Sequence, residues 1–72
     1  AMPATDLLQL ARLALEDADG TVRVGGAEIL GRLVGQAAID PEPAAAARSL
    51  LAGLQNDGDH RVVAAALNGL QG

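Results

Sequence analysis

The chain has 72 residues, enough for one small domain. A domain of this size buries on folding only about 60% of the surface that its unfolded chain exposes. Half of its residues are hydrophobic but none is Phe, Trp or Tyr, so the apolar side chains are mainly Leu, Val and Ala, which favours helices. The absence of cysteine excludes disulfides, thiolate nucleophiles and zinc–thiolate sites. Five Arg against nine acidic residues give a net charge of -4, which disfavours binding to nucleic acid.

The hydrophobic residues are too dispersed along the sequence to form a membrane-spanning helix. No run approaches the ~18 consecutive apolar residues that a spanning helix needs, and the N-terminus lacks the basic segment of a signal peptide. We therefore expect a soluble cytoplasmic domain.

Apolar spacing and helix-breaking residues divide the chain into four helical segments. Thr5 or Asp6 is expected to cap the first helix, and the turn Asp17–Gly20 is expected to end it. A second helix is expected from about Thr21 to Gly35. The apolar face of the first helix consists of Leu7, Leu10, Ala11, Ala14 and Leu15.

The second half of the chain shows the same arrangement. Asp40 is expected to cap a third helix with Pro41 in its first turn, where the missing N–H of proline costs nothing. After the turn Asn56–Asp59, Asp59 is expected to cap a fourth helix. The sequence thus predicts an all-α fold of four helices in two antiparallel hairpins. The inward positions are Ala47, Leu50, Leu51, Leu54, Val63, Ala66, Leu67 and Leu70.

One segment has an alternative interpretation as a β-hairpin. Residues 21–29 alternate apolar and polar side chains around Gly25 and Gly26, and each glycine would cost a helix up to ~1 kcal/mol relative to Ala. The matching segment Val62–Leu67, however, has no turn residue and is rich in alanine. This favours a helix for both segments.

The chain repeats itself with a period of about 40 residues. A shift of this size places Asp17 and Asp19 on Asp57 and Asp59, and a period in this range is typical of stacked helix pairs. Residues 17–33 resemble the turn and second helix of a HEAT-type repeat, with an acidic turn, Val-Arg, small residues, Leu-Gly and a closing Leu. Residues 57–70 are similar but depart at Val63, where the family usually has Arg.

This resemblance implies two stacked HEAT-like (armadillo-type) helical hairpins, a fragment of an α-solenoid. Repeat one would span about 5–36 and repeat two about 40–71, within a single helical domain at 5–72. Residues 1–4 are expected to be an expression remnant and a disordered N-terminus. Families of this kind are interaction scaffolds, usually with more than two units.

The acidic turn also admits a calcium interpretation. With Asp17 at position 1 of a twelve-residue loop, Asp19, Thr21 and Glu28 would occupy positions 3, 5 and 12. Val22 stands where such a loop needs glycine, and Arg61 would intrude on the second copy. We therefore expect no metal and interpret both turns as helix caps.

Other residues that could carry chemistry are isolated. His60, the single histidine, has no visible nucleophile or set of metal ligands beside it. Ser49 faintly resembles the attachment serine of small acidic carrier proteins, but Arg48 replaces the acidic residue and too little chain follows. The sequence predicts neither an enzyme nor a cofactor.

We expect a non-enzymatic protein–protein interaction module of two HEAT-like repeats whose second helices line a binding surface. The alternative is a small four-helix docking or dimerisation domain that joins larger proteins. The two differ because a closed bundle brings helices one and four together, whereas a solenoid does not. The partner would be a protein or a second copy of the chain in a homodimer. The candidate contact residues are Leu8, Arg23, Glu28, Arg32, Arg61 and Val63.

Overall fold

A computed structural model describes residues 2–71, which contain four α-helices and no strand. Helix α1 spans Ala4–Leu15, α2 Gly20–Gly35, α3 Pro41–Gly53 and α4 His60–Gln71, and a short 3-10 turn, Leu54–Asn56, follows α3. The prediction of an all-α fold with four helices is confirmed. The glycine hairpin does not form, because residues 21–29 lie inside α2.

The helix starts follow the expected caps only in part. Helix α1 begins at Ala4 with no side-chain cap, and the carbonyl of Pro3 accepts the first amides instead. The expectation that Thr5 or Asp6 caps this helix is wrong, since both lie inside its first turn. Ala4 belongs to the folded helix rather than to the N-terminal extension, and Ala1 lies outside the described residues.

Helix α3 begins at Pro41, which confirms the prediction that this proline lies in its first turn. Asp40 precedes it, but its side chain makes no capping hydrogen bond, and its backbone carbonyl accepts the amide of Ala44 at 3.1 Å. Asp40 therefore starts the helix through its main chain, whereas the carboxylates of Asp19 and Asp59 cap α2 and α4.

The core is small and consists of alanine, leucine and valine. The largest fully buried side chains are those of Leu30, Leu33, Leu51 and Val62, and full burial of each such side chain is worth about 1.5–3 kcal/mol. Among residues 2–71 no polar or charged side chain is buried. The remaining core residues are Ala11, Ala27, Val34, Ala44, Ala47 and Ala66.

Helix α2 is central to the packing. It contacts all three other helices, whereas α1 and α4 do not touch each other within residues 2–71. The Cα radius of gyration is 10.9 Å, close to the ~11 Å expected of a folded chain of this length. The four helices thus form one globule in which the first and last helices lie apart.

Two glycine positions allow the helices to approach closely. A Cβ at Gly26 would lie 3.1 Å from the Cβ of Ala14 and 3.2 Å from the carbonyl oxygen of Ala11, where α1 crosses α2. A Cβ at Gly31 would lie 3.1 Å from the Cα of Gly69, where α4 crosses α2. At Gly25, by contrast, a Cβ would have no neighbour within 4 Å.

Candidate interaction surfaces

The two turns form the same hydrogen bonds forty residues apart. The Oδ1 atoms of Asp17 and Asp57 each accept the backbone N–H two residues later, at 2.8 Å. The Oδ1 atoms of Asp19 and Asp59 likewise accept the N–H two residues later, at 2.9 Å, and so cap α2 and α4. The repeat in the sequence is therefore also a repeat in local structure.

Arg23 joins the two turns. Its Nε donates to Oδ2 of Asp57 at 2.9 Å and its Nη2 to Oδ1 at 3.1 Å, which is the bidentate geometry that suits a guanidinium and a carboxylate. Its Nη1 donates to the carbonyl oxygens of Asp17 and Ala18, at 2.8 and 2.9 Å. The carboxylates of Asp17 and Asp19 accept turn amides, and the carboxylate that faces the guanidinium is that of Asp57.

Arg61, in the first turn of α4, binds the aspartate that caps its own helix and one hydroxyl of α2. Its Nη2 donates to Oδ2 of Asp59 at 2.8 Å and its Nε to Oδ1 at 3.2 Å, while its Nη1 reaches the hydroxyl of Thr21 at 3.2 Å. The forty-residue shift places Arg61 on Thr21 and Val63 on Arg23. The second copy thus has no arginine at the position from which Arg23 reaches the next turn.

The bonds of Arg23 and Arg61 with Asp57 and Asp59, which we call the turn network, keep the two carboxylates charged. Hydrogen bonds from the side chain and then the backbone of Arg61 lower the pKa of Asp59 to about 2. Hydrogen bonding from Arg23 lowers the pKa of Asp57, and the same contacts raise the pKa values of Arg23 and Arg61. Groups that stay charged near neutral pH are suited to holding the turns together rather than to proton transfer.

A groove of about 480 Å³ lies between α2 and α4. Its partly buried lining consists of the small residues Gly25, Gly31, Ala65 and Gly69 together with the larger Ile29. Three exposed polar side chains stand along it: Glu28 and Arg32 from α2, and Asn68 from α4. We call this the α2/α4 groove.

The six candidate contact residues fall in separate places. Glu28 and Arg32 share the α2/α4 groove, whereas Arg23 and Arg61 belong to the turn network. The side chain of Arg23 is only 19% exposed, whereas that of Arg61 is 62% exposed.

The two apolar candidates lie on helices that do not touch each other within residues 2–71. Leu8 on α1 is partly buried and packs against the core, and Val63 on α4 is also partly buried. They do not share one surface.

Two residues of these surfaces are missed when the sequence is considered alone. Asp57 is the acceptor of Arg23, and Asn68 lines the groove beside Glu28 and Arg32. The forty-residue shift offers a signal for both, since it places Asp57 on Asp17 and Asn68 on Glu28. The shift does not tell which of two equivalent residues contacts Arg23 or lines the groove.

The described residues do not have the geometry of a calcium loop or of another metal site. Thr21 and Glu28 belong to α2, so the twelve-residue calcium loop is not formed. Across residues 2–71, no group of three or more His, Asp or Glu side chains is placed to hold a metal ion. No helix in that range is long and apolar enough to cross a membrane.

Comparisons of the chain with protein-family models, with curated proteins and with solved structures gave no match. Any function must therefore be inferred from the contacts within this chain.

Proposed function

We propose that the chain is a non-enzymatic protein–protein interaction module of two HEAT-like repeats, and that a segment of a partner protein lies in the α2/α4 groove. The observation that carries the proposal is the groove itself. It runs between the second helices of the two hairpins, and Glu28 and Arg32 stand exposed beside it.

The contacts between helices support an open stack over a closed four-helix bundle. Helix α2 packs on α1, α3 and α4, while α1 and α4 remain apart within the described range. The identical hydrogen bonds in the two turns, and the bidentate pair of Arg23 with Asp57 between them, support two equivalent units placed side by side. In such a stack each unit contacts only its neighbour.

The lining of the groove suits a peptide segment. Small residues such as Gly25 and Ala65 leave room for large apolar side chains from a partner. Glu28 can accept from a basic residue and Arg32 can donate to an acidic one, which fixes the direction of the segment. We therefore expect a segment that carries one basic residue, one acidic residue and at least one large apolar residue.

Selection from a displayed peptide library tests this proposal. Selected peptides are expected to perturb the NMR amide signals of Glu28, Arg32 and Asn68. Reversing the charges in a Glu28→Arg, Arg32→Glu double variant should weaken their binding by at least about tenfold, because two interfacial charge contacts become repulsive.

Arg48→Glu is the matched control, because this arginine is exposed on α3 and does not line the groove. The control should bind the selected peptides as the original chain does, and a peptide with reversed charges should restore binding to the double variant. Selected peptides whose affinity is insensitive to Glu28 and Arg32, or whose signals map elsewhere, would contradict the proposal.

A further inference from the structure

Helices α2 and α4 lie side by side and run in the same direction. The start of α2 lies against the start of α4, because a Cβ at Gly20 would overlap the carboxylate of Asp59, which caps α4. Farther along, a Cβ at Gly31 would lie 3.1 Å from the Cα of Gly69. Equivalent points of the two helices are therefore neighbours, and the α2/α4 groove follows a pair of parallel helices.

The described lining of this groove has its backbone N–H groups already bonded. The lining residues lie beyond the first turn of α2 or α4, so each N–H donates to a carbonyl of its own helix. An extended segment placed against Gly25, Ile29 and Ala65 would bury backbone groups that only the polar side chains along the groove could reach. A helical segment brings its backbone hydrogen bonds with it, so the groove favours a helix.

The lining also differs from that of a polyproline site. None of its described residues is aromatic, and the chain has no Phe, Tyr or Trp, whereas aromatic side chains line the grooves that bind polyproline segments. Gly25 and Arg32, the first and last lining residues of α2, are about 10 Å apart along the helix axis. This length accommodates about two turns of a partner helix, whose large apolar side chains would lie beside the small residues.

Two charged side chains determine the order of charges that such a helix needs. Glu28 and Arg32 are exposed on α2, one helical turn apart, and neither forms a salt bridge within residues 2–71. A helix antiparallel to α2 meets Arg32 first and Glu28 about 6 Å later. It therefore needs an acidic residue followed, four positions later, by a basic residue.

Two effects favour the antiparallel direction over the parallel one. An acidic residue four positions before a basic one stabilises the partner helix itself, and does so better than the reverse order. The N-terminal ends of α2 and α4 lie at the same end of the pair. An antiparallel helix brings its C-terminal end, which carries the opposite partial charge, to that side.

We propose that the occupant of the α2/α4 groove is an amphipathic helix of a partner protein that runs antiparallel to α2 and α4. It carries an acidic residue against Arg32, a basic residue one turn later against Glu28, and a large apolar residue beside Gly25. This inference rests on the proposed function, and it names the conformation, direction and charge order of the bound segment.

A synthetic peptide tests the conformation. It is rich in alanine and about 15 residues long, near the length at which an isolated helix forms, with one Glu, a Lys four residues later and leucines on the neighbouring face. In fluorescence anisotropy it should bind the full chain, and it should shift the NMR amide signals of Glu28 and Arg32. Proline in place of a central alanine on the opposite face should weaken binding about a hundredfold, because it breaks the helix without removing a contacting side chain.

A second peptide, with Lys four residues before Glu, tests the direction. The original chain should bind it at least about tenfold more weakly than the first peptide, because like charges meet in the antiparallel arrangement. The Glu28→Arg, Arg32→Glu variant should show the opposite preference. Equal binding of the two peptides to the original chain would overturn the antiparallel direction.

Gly25→Leu tests the position of the apolar residue. A Cβ at Gly25 has no neighbour within 4 Å, so the leucine enters the groove without displacing the chain's own atoms. The variant should keep its helical circular dichroism and bind the first peptide at least about tenfold more weakly, since a buried leucine of the partner loses its place. Gly35→Leu is the matched control on α2: it also meets nothing within 4 Å, lies outside the groove and should bind normally.

Three results would overturn the helical occupant: binding that is unchanged by proline, failure of both peptides to bind, or equal binding to the two leucine variants. Peptides from the displayed library that map to Glu28 and Arg32 but tolerate proline would overturn this inference and leave the proposed function standing. Library peptides that map elsewhere would contradict both.

Discussion

The turn that precedes α2 and the turn that precedes α4 have the same backbone hydrogen bonds but use arginine differently. Arg23, after the first turn, reaches across to Asp57. Arg61, in the helix after the second turn, binds Asp59 and the hydroxyl of Thr21 and remains largely exposed. The local geometry of a turn is set by its own aspartates, whereas the partner of its arginine depends on which side chain lies within reach.

This difference separates two roles of aspartate in the same turn. Asp19 and Asp59 cap their helices through bonds between near neighbours in the chain. Asp57, in addition, holds a residue thirty-four positions away. The first role needs only local sequence, and the second needs α2 to be docked beside the turn that precedes α4.

Among the variants that test this difference between the two turns, Gly20→Ala is expected to cause the largest loss of stability. A Cβ at Gly20 would overlap the carboxylate of Asp59, so the variant must displace the cap of α4 and its pair with Arg61. We expect a loss of about 1–2 kcal/mol in the free energy of unfolding, the usual cost of a lost cap. Urea denaturation followed by circular dichroism measures it. Gly58→Ala, which meets nothing within 4 Å, should change stability by less than about 0.5 kcal/mol, and equal losses in both variants would contradict this account.

A smaller effect is expected from Gly26→Ala, which gives the first copy the alanine that the second has at position 66. The new methyl would press on Ala14 and on the carbonyl of Ala11, and we expect a net loss of about 1 kcal/mol. Gly25→Ala is the control in the same helix, because its methyl meets no neighbour. It should gain about 0.5–1 kcal/mol through the reduced freedom of the unfolded chain. Thermal unfolding should thus shift in opposite directions for the two variants.

The pair between the turns can be isolated by comparing Asp57→Asn with Asp17→Asn. Both substitutions leave an oxygen for the amide two residues later, but only the first removes a charge bound to arginine. Asp57→Asn should lower the unfolding midpoint more than Asp17→Asn does, and the difference should shrink in high salt, which screens partly exposed ion pairs. Equal midpoints at low salt would show that Arg23 contributes nothing through its charge.

The smallest effect near neutrality is expected from pH. The pKa values of Asp57 and Asp59 are lower in the folded chain than their ordinary value, so their contribution is fully present above about pH 4. It should be lost as the pH falls from about 4 towards the folded pKa of Asp59, about 2. Stability measured by denaturation should fall over this interval, and the fall should be shallower in an Asp57→Asn, Asp59→Asn double variant. An unchanged acid slope in that variant would assign the loss to other carboxylates.

Much of the fold is predictable because its signals are local. Pro41 marks the first turn of α3, and Asp19 and Asp59 act as caps within two residues of their acceptors. The start of α1 is misjudged because the carbonyl of Pro3 already accepts the first amides, which leaves Thr5 and Asp6 inside the helix. Of the candidate contact residues, Glu28 and Arg32 do share a surface, since four residues of helix place side chains on one face.

The sequence by itself determined the four helices, their acidic turns and the forty-residue repeat, because hydrophobic period, caps and breakers act over a few residues. Only the tertiary structure decided that Arg23 pairs with Asp57, that Gly20 must leave room for Asp59, and that Gly26 but not Gly25 lies at a helix crossing. These contacts join residues of different helices and turns, and their geometry depends on how the helices dock. Neighbouring glycines have the same local propensity, so the docked helices alone distinguish them.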